Sequence, residues 1–187
     1  MRRTCLVLPT ICFLFWTGHS ESRAEETTHS DRRVVVSLVH RKLAVVQGDR
    51  VLKIYPVAIG SKSSPSPTGE FKIVHRIPKP TYYAPGIVIP PGRRNPLGTR
   101  WIGLSLKGFG IHGTNQPGSI GKAASHGCIR LRNRDAEELF DIVSVGNVVE
   151  LHGESSPDIS HFFEKPSEEP AQQPRTETQL ALVTTGH

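Results

Sequence analysis

The sequence predicts a mainly-β single domain with one helix. Two observations carry that expectation. Short runs rich in β-branched residues recur between glycine, proline and aspartate turn signals from Val34 onward. One segment, after Asp135, repeats its apolar residues at helical spacing. At 187 residues the chain holds about one domain plus additional segments.

In chain order, Val34–His40 and Lys42–Gln47 read as strands, and Gly48-Asp49 as a turn. Arg50–Ile59 then resumes as a strand with Val51, Leu52, Ile54, Val57 and Ile59, so the region is a hairpin in a sheet. Lys62–Thr68 mixes serines with prolines and reads as a loop, and Phe71–Ile77 as a further strand. Pro78–Gly98 is too rich in proline and glycine for a long regular element. A loop of that length inside a compact domain is often a lid or binding rim. Tyr82 and Tyr83 within it either offer aromatic faces to a substrate or cover the core.

Trp101–Leu106 and Phe109–His112 read as short strands, and Ile129–Leu131 begins another. Asp135 is the expected N-cap of the helix, with Glu138 three residues on completing a capping box. Ala136, Leu139, Phe140 and Val143 then form one apolar stripe. Gly146-Asn147 turns the chain into a closing strand, Val148–Leu151. From His152 the chain becomes polar and proline-bearing, and residues 152–187 are expected to be a disordered tail.

At the other end, Arg2 and Arg3 precede the apolar run Cys5–Trp16, and Ser22-Arg23-Ala24 offers a small-x-small cleavage site. Residues 1–24 therefore read as a secretory signal peptide, with an uncleaved membrane anchor as the alternative. Residues 25–32 are a short linker, and 33–151 the folded domain. Cleavage after Ala24 removes Cys5 and Cys12 and leaves Cys128 alone. A single thiol in an exported protein cannot be an internal staple and is exposed to oxidation, so catalysis is the natural reason to keep it. The expected location is the periplasm or cell envelope. The formal net charge of +6 suits anionic wall polymers and lipid surfaces. Nucleic acid is excluded as a partner by the export signal and by the lack of an RNA-binding aromatic motif or basic helix.

The chemistry concentrates in Ile111–Asn133, IHGTNQPGSIGKAASHGCIRLRN. A cysteine nucleophile needs a base within hydrogen-bond reach and a group that orients the base. His112 and His126 are both candidates for the base of Cys128. Residues two apart in an extended segment face the same way, which favours His126, whereas two strands joined by a loop would deliver His112. Gly127 permits a tight turn whose amides, near Gly127 and Cys128, would face a developing oxyanion. Ser125 bonds the local backbone or is an ordinary turn serine. Arg130 is suited to bidentate binding of a substrate carboxylate. Asn115 and Ser119, in the intervening loop, are candidates to line the cleft. A zinc site at His112, His126 and Cys128 would quench the thiol, and no metal is expected. His40, His75, His152, His161 and His187 lack motif context and read as structural or surface residues.

This segment resembles the signature of the L,D-transpeptidase catalytic domain family: an upstream His, a gap, then Ser/Thr-His-Gly-Cys. Tyr55–Gly60, Pro67–Phe71 (PTGEF), Asn95–Gly98 (NPLG) and Ile111–Asn115 (IHGTN) are similar to the same family in the same order. The resemblance implies a β-sandwich-like domain with the helix packed alongside. It implies Cys128 as nucleophile, His112 as base, and a backbone carbonyl at Gly113 orienting the ring, with His126 shaping the site. It also implies exchange of a terminal D-Ala on peptidoglycan stem peptides for a second amine, with no cofactor. An acceptor of water would make a carboxypeptidase or crosslink hydrolase, and an amine on an outer-membrane protein would make an anchoring enzyme. A wall-binding module without catalysis is the non-enzyme alternative. A monomer is expected.

Overall fold

The computed structural model describes residues 31–163, so the expected leader, most of the linker and the chain from residue 164 lie outside the described residues. Its first two strands explain the densest apolar runs of the sequence. Strands β1 (Arg32–Ser37) and β2 (Lys42–Gln47) pair antiparallel, with Val34 opposite Val45 and Val36 opposite Leu43. Those four side chains enter one core, while Val35, Ala44 and Val46 point to a second cluster on the other face. Both faces are fully buried, which is why the run is continuous rather than alternating in hydrophobicity.

Strand β3 (Arg50–Pro56) adds antiparallel to β2, and the last strand, β12 (Val148–His152), pairs parallel with β1. Strands β5 (Gly69–Pro78), β8 (Arg100–Leu104), β9 (Gly110–His112) and β11 (Ile129–Arg130) complete one eight-stranded sheet of order β11-β9-β8-β5-β12-β1-β2-β3. Short strands β4 (Ile59–Gly60) and β10 (Ala123–Ser125) form a separate pair. The two edges of the large sheet meet: Ala58, just beyond β3, exchanges two backbone hydrogen bonds of 2.9 Å with Arg130 in β11. The main core accordingly mixes Tyr55 and Val57 with Ile111 and Ile129. A sheet folded back over one core gives the mainly-β, sandwich-like domain expected.

Helix α1 (Asn133–Ile142) packs against that core through Ala136 and Leu139. Full burial of a leucine such as Leu139 contributes about 1.5–3 kcal/mol. The expected N-cap at Asp135 is corrected: the cap position is Arg132, without a side-chain cap bond, and Asp135 lies inside the first turn. Asn133 sets this earlier start, because its Oδ1 accepts from the backbone N–H groups of Thr99 and Thr114. Asp135 there favours the positive end of the helix dipole, and Glu138 pairs with Lys53 instead of closing a capping box. At the C-terminal end, Arg32 donates to the Ile142 carbonyl at 2.8 Å and Arg76 to that of Phe140. These guanidiniums satisfy carbonyls that the last turn leaves without helical partners.

The expected tail boundary at His152 is also corrected. A short helix, α2 (Pro157–Ser160), and the residues after it lay Ile159, Phe162 and Phe163 over Val35, Ala44 and Val46. Arg33 sits over the Phe162 ring, and Lys42 donates to the Phe163 carbonyl. The Pro78–Gly98 loop carries a hairpin of its own, β6 (Tyr82–Ala84) with β7 (Ile87–Ile89). Asn95, fully buried, pins it by donating to the Pro80, Ile89 and Pro90 carbonyls.

Candidate active site

Parallel pairing of β9 with β11, Ile111 opposite Ile129 and His112 opposite Arg130, assembles the site. Cys128 immediately precedes β11, so its thiol emerges beside the β8–β9 turn, where Sγ donates to the Gly108 carbonyl at 3.6 Å. The turn before it is held by Ser125, which is buried. Ser125 Oγ donates to the Cys128 carbonyl at 2.6 Å and accepts from the Gly127 N–H at 3.1 Å. Gly127 has φ +108°, and a Cβ there would come within 2.7 Å of the Phe109 ring. Both facts require glycine. His126–Cys128 is a bend rather than extended chain, so the alternation that would put His126 beside Cys128 does not operate.

His112 ends β9 with 5% of its surface exposed. Its Nδ1 lies 2.6 Å from the Gly113 carbonyl. A carbonyl only accepts, so Nδ1 carries the proton and Nε2 keeps a free lone pair. Gly113 allows this approach because a Cβ would collide with Asn133 Oδ1, the atom that also anchors Thr99 and Thr114. Trp101 of β8 stacks on the His112 ring, with centroids 5.6 Å apart.

A cavity of about 610 Å³ brings together His112, Ser125, His126, Cys128, Arg130, Tyr82 and Tyr83. Arg130 reaches it with a buried Nε that has no hydrogen-bond partner. Asn115 and Ser119 do not line it, which corrects the cleft role expected for them. Asn115 donates outward to the Arg94 carbonyl, and the Ser119 hydroxyl closes its own turn onto Gln116. Gln116, Trp101, Pro96 and Leu97 line the cavity instead. Trp101 lies in a segment that reads as a strand, and its pairing opposite His112 brings it to the site; nothing in the sequence marks Gln116. Among the described residues no group of three or more His, Cys, Asp or Glu is placed to hold a metal ion.

Burial pushes the His112 pKa down to about 4, against the Gly113 hydrogen bond and with help from the Arg130 charge. Burial raises the Cys128 thiol, offset in part by a backbone hydrogen bond with Gly110 and by Arg130. Burial thus acts on both groups in the same sense, favouring the neutral imidazole and the neutral thiol. A stability consequence follows for His112. The unfolded chain binds a proton at this residue below about pH 6.5, while the folded chain binds it only below about 4, so stability falls as pH falls through that window. The loss from this residue is roughly 3 kcal/mol. His112→Asn is expected to flatten the decline in melting temperature between pH 6.5 and 4, measured by thermal unfolding.

Comparison with known proteins agrees with this geometry. Residues 31–151 match the family model of the YkuD L,D-transpeptidase catalytic domain. The chain is 44% identical over 119 residues to the putative L,D-transpeptidase YkuD of Bacillus licheniformis, covering 64% of each protein. It is 40% identical over 119 residues to its counterpart in Bacillus subtilis, covering 64% of this chain and 65% of that one. The match thus spans just under two thirds of the length of these relatives. Among solved structures, the Ldtfm–avibactam carbamoyl enzyme superposes with a TM-score of 0.57 at 25% identity, over 67% of this chain and 50% of that one. An L,D-transpeptidase from Mycobacterium smegmatis gives 0.56 at 24% identity, over 66% and 59%; it shares the fold. On its sequence match across nearly the whole described domain, the chain belongs to the L,D-transpeptidase catalytic domain family.

Proposed function

We propose that this protein is an exported L,D-transpeptidase that acts on peptidoglycan stem peptides through an acyl-enzyme on Cys128. The observation that carries the reading is the β9–β11 register, which sets the buried, neutral His112 and the Cys128 thiol in one cavity with Arg130. Sγ attacks the carbonyl that precedes a terminal D-Ala while His112 Nε2 takes the thiol proton. The C–N bond breaks, the imidazolium returns the proton to the departing amine, and a thioester remains. An amine from a second stem then displaces Sγ, forming the crosslink and restoring the thiol. The Gly127 N–H is engaged by Ser125, so the Cys128 amide is the donor left for the oxyanion. Arg130, whose side chain lines the cavity, is suited to hold a substrate carboxylate. The thiol, imidazole and backbone supply every step, and no cofactor enters. The carbamoyl enzyme named for the similar Ldtfm structure is in keeping with a covalent route.

The test uses the protein and its Cys128→Ala variant with disaccharide-tetrapeptides, read by mass spectrometry. D-Ala release with a dimeric product, lost in the variant, is the expected result. Tripeptide alone would assign water as acceptor and make the protein a carboxypeptidase. If neither product nor adduct formed, the stem-peptide reading would fail, and an outer-membrane protein amine or a non-catalytic wall-binding role would replace it.

A further inference from the structure

We propose that His75 and Trp101 act as a positioning pair that fixes the ring of His112, an inference that rests on reading His112 as the base of Cys128. The Gly113 carbonyl holds His112 at a single atom, Nδ1. One hydrogen bond at one edge fixes the imidazole at one point, and a stacked face fixes the plane of the ring. Trp101 supplies the face: it lies directly opposite His112 in the β8–β9 register, with the two planes 26° apart. The indole is in turn held from sliding, because its Nε1–H donates to His75 Nε2 across the β5–β8 pairing at 2.9 Å.

The backbone is shaped for these two rings. Strands β8 and β9 face each other at Gly103 and Gly110. A Cβ on Gly103 would collide with the His75 ring, and one on Gly110 would come within 2.7 Å of the Trp101 ring. Two paired glycines in strands are otherwise costly, since each weakens the sheet and packs no side chain. Their bare backbone is the bed on which the rings lie. Trp101 also lines the cavity, so its loss alone would not separate positioning from substrate contact. His75 does not line the cavity, and it reaches the reacting atoms only through Trp101.

The experiment measures alkylation of Cys128 by iodoacetamide in the full chain, read on the tryptic peptide Ala123–Arg130 so that Cys5 and Cys12 do not interfere. This readout needs no stem peptide. His75→Ala is expected to slow it roughly fivefold, the weight of one ordinary hydrogen bond. Trp101→Phe, which keeps a ring but loses the donor, should slow it similarly, and the double variant should be no slower than Trp101→Phe. His75→Gln should retain most of the rate, because its amide oxygen can accept the indole proton. If His75→Ala does not fold, His75→Leu, which fills the space without an acceptor, takes its place against His75→Gln. A wild-type rate in the acceptor-less variant, additive losses in the double, or a His75→Gln as slow as His75→Ala would each overturn the pair. His112→Ala alkylated at the wild-type rate would overturn the base assignment itself, and the pair with it.

Discussion

Replacing His112 with Ala is expected to slow acylation of Cys128 by about 10²- to 10⁴-fold, the range of a positioned general base. The effect belongs at the upper end, because burial raises the Cys128 pKa and leaves little thiolate to react unaided. Substrate affinity should change less than the rate, since Arg130, assigned to the substrate carboxylate, is left in place. His126→Ala is the matched control: His126 is exposed and sits on a bend, and its loss should cost no more than about fivefold, the weight of one hydrogen bond. The measurement is the time course of the acyl adduct by intact-protein mass spectrometry under single-turnover conditions. Added imidazole should restore part of the rate in His112→Ala, because the space left beside Trp101 admits a free ring. Equal, small losses in the two variants would show that neither histidine is the base. A large loss confined to His126→Ala would reverse the assignment.

The site was legible in the sequence where local chemistry and strand order coincide. His112 and Cys128 stand at the ends of two segments that read as strands, and parallel pairing brings those ends side by side. What the sequence hid was set by tertiary contacts. Asp135 looks like an N-cap, but Asn133 is tied to Thr99 and Thr114, so the helix starts earlier. Asn115 and Gln116 are adjacent polar residues of one loop, and only the bond from Asn115 to Arg94 decides which of them turns away from the cavity. Trp101 carried a clue in its strand, but its meaning depends on the β8–β9 register, which a single sequence does not specify. The polar stretch after His152 misled for a different reason: its few apolar residues are diluted by charge and proline. The missed signal lies at the other end of the chain, in Val34-Val35-Val36 and Leu43-Ala44-Val45-Val46. Two neighbouring strands apolar on both faces need a cover on each, and α1 covers only one.

Ending the chain at Gly153 is therefore expected to destabilise it severely relative to a chain that ends at Phe163. The shorter chain loses Ile159, Phe162 and Phe163, each no more than 5% exposed, and uncovers Val35, Ala44 and Val46. Truncating one buried phenylalanine to alanine costs about 3–5 kcal/mol where the site cannot collapse. Here the segment lies on the surface of the sheet, so each phenylalanine is worth less, about 1.5–3 kcal/mol for each buried apolar side chain, and the three together about 5–9 kcal/mol. Total stability of a domain is about 5–15 kcal/mol, so the truncated chain should melt at least 10 °C lower, roughly 2–4 °C for each kcal/mol. Thermal unfolding of the two chains checks this, and Phe162→Ala in the longer chain should show an intermediate fall. The cluster stands on the face of β1 and β2 that points away from the main core, and none of its residues lines the cavity. Well below its melting temperature, the shorter chain should therefore alkylate Cys128 at the rate of the longer one. Equal melting temperatures would mean that the segment lies on the sheet without stabilising it. A slower alkylation in the folded short chain would instead couple this face of the sheet to the site.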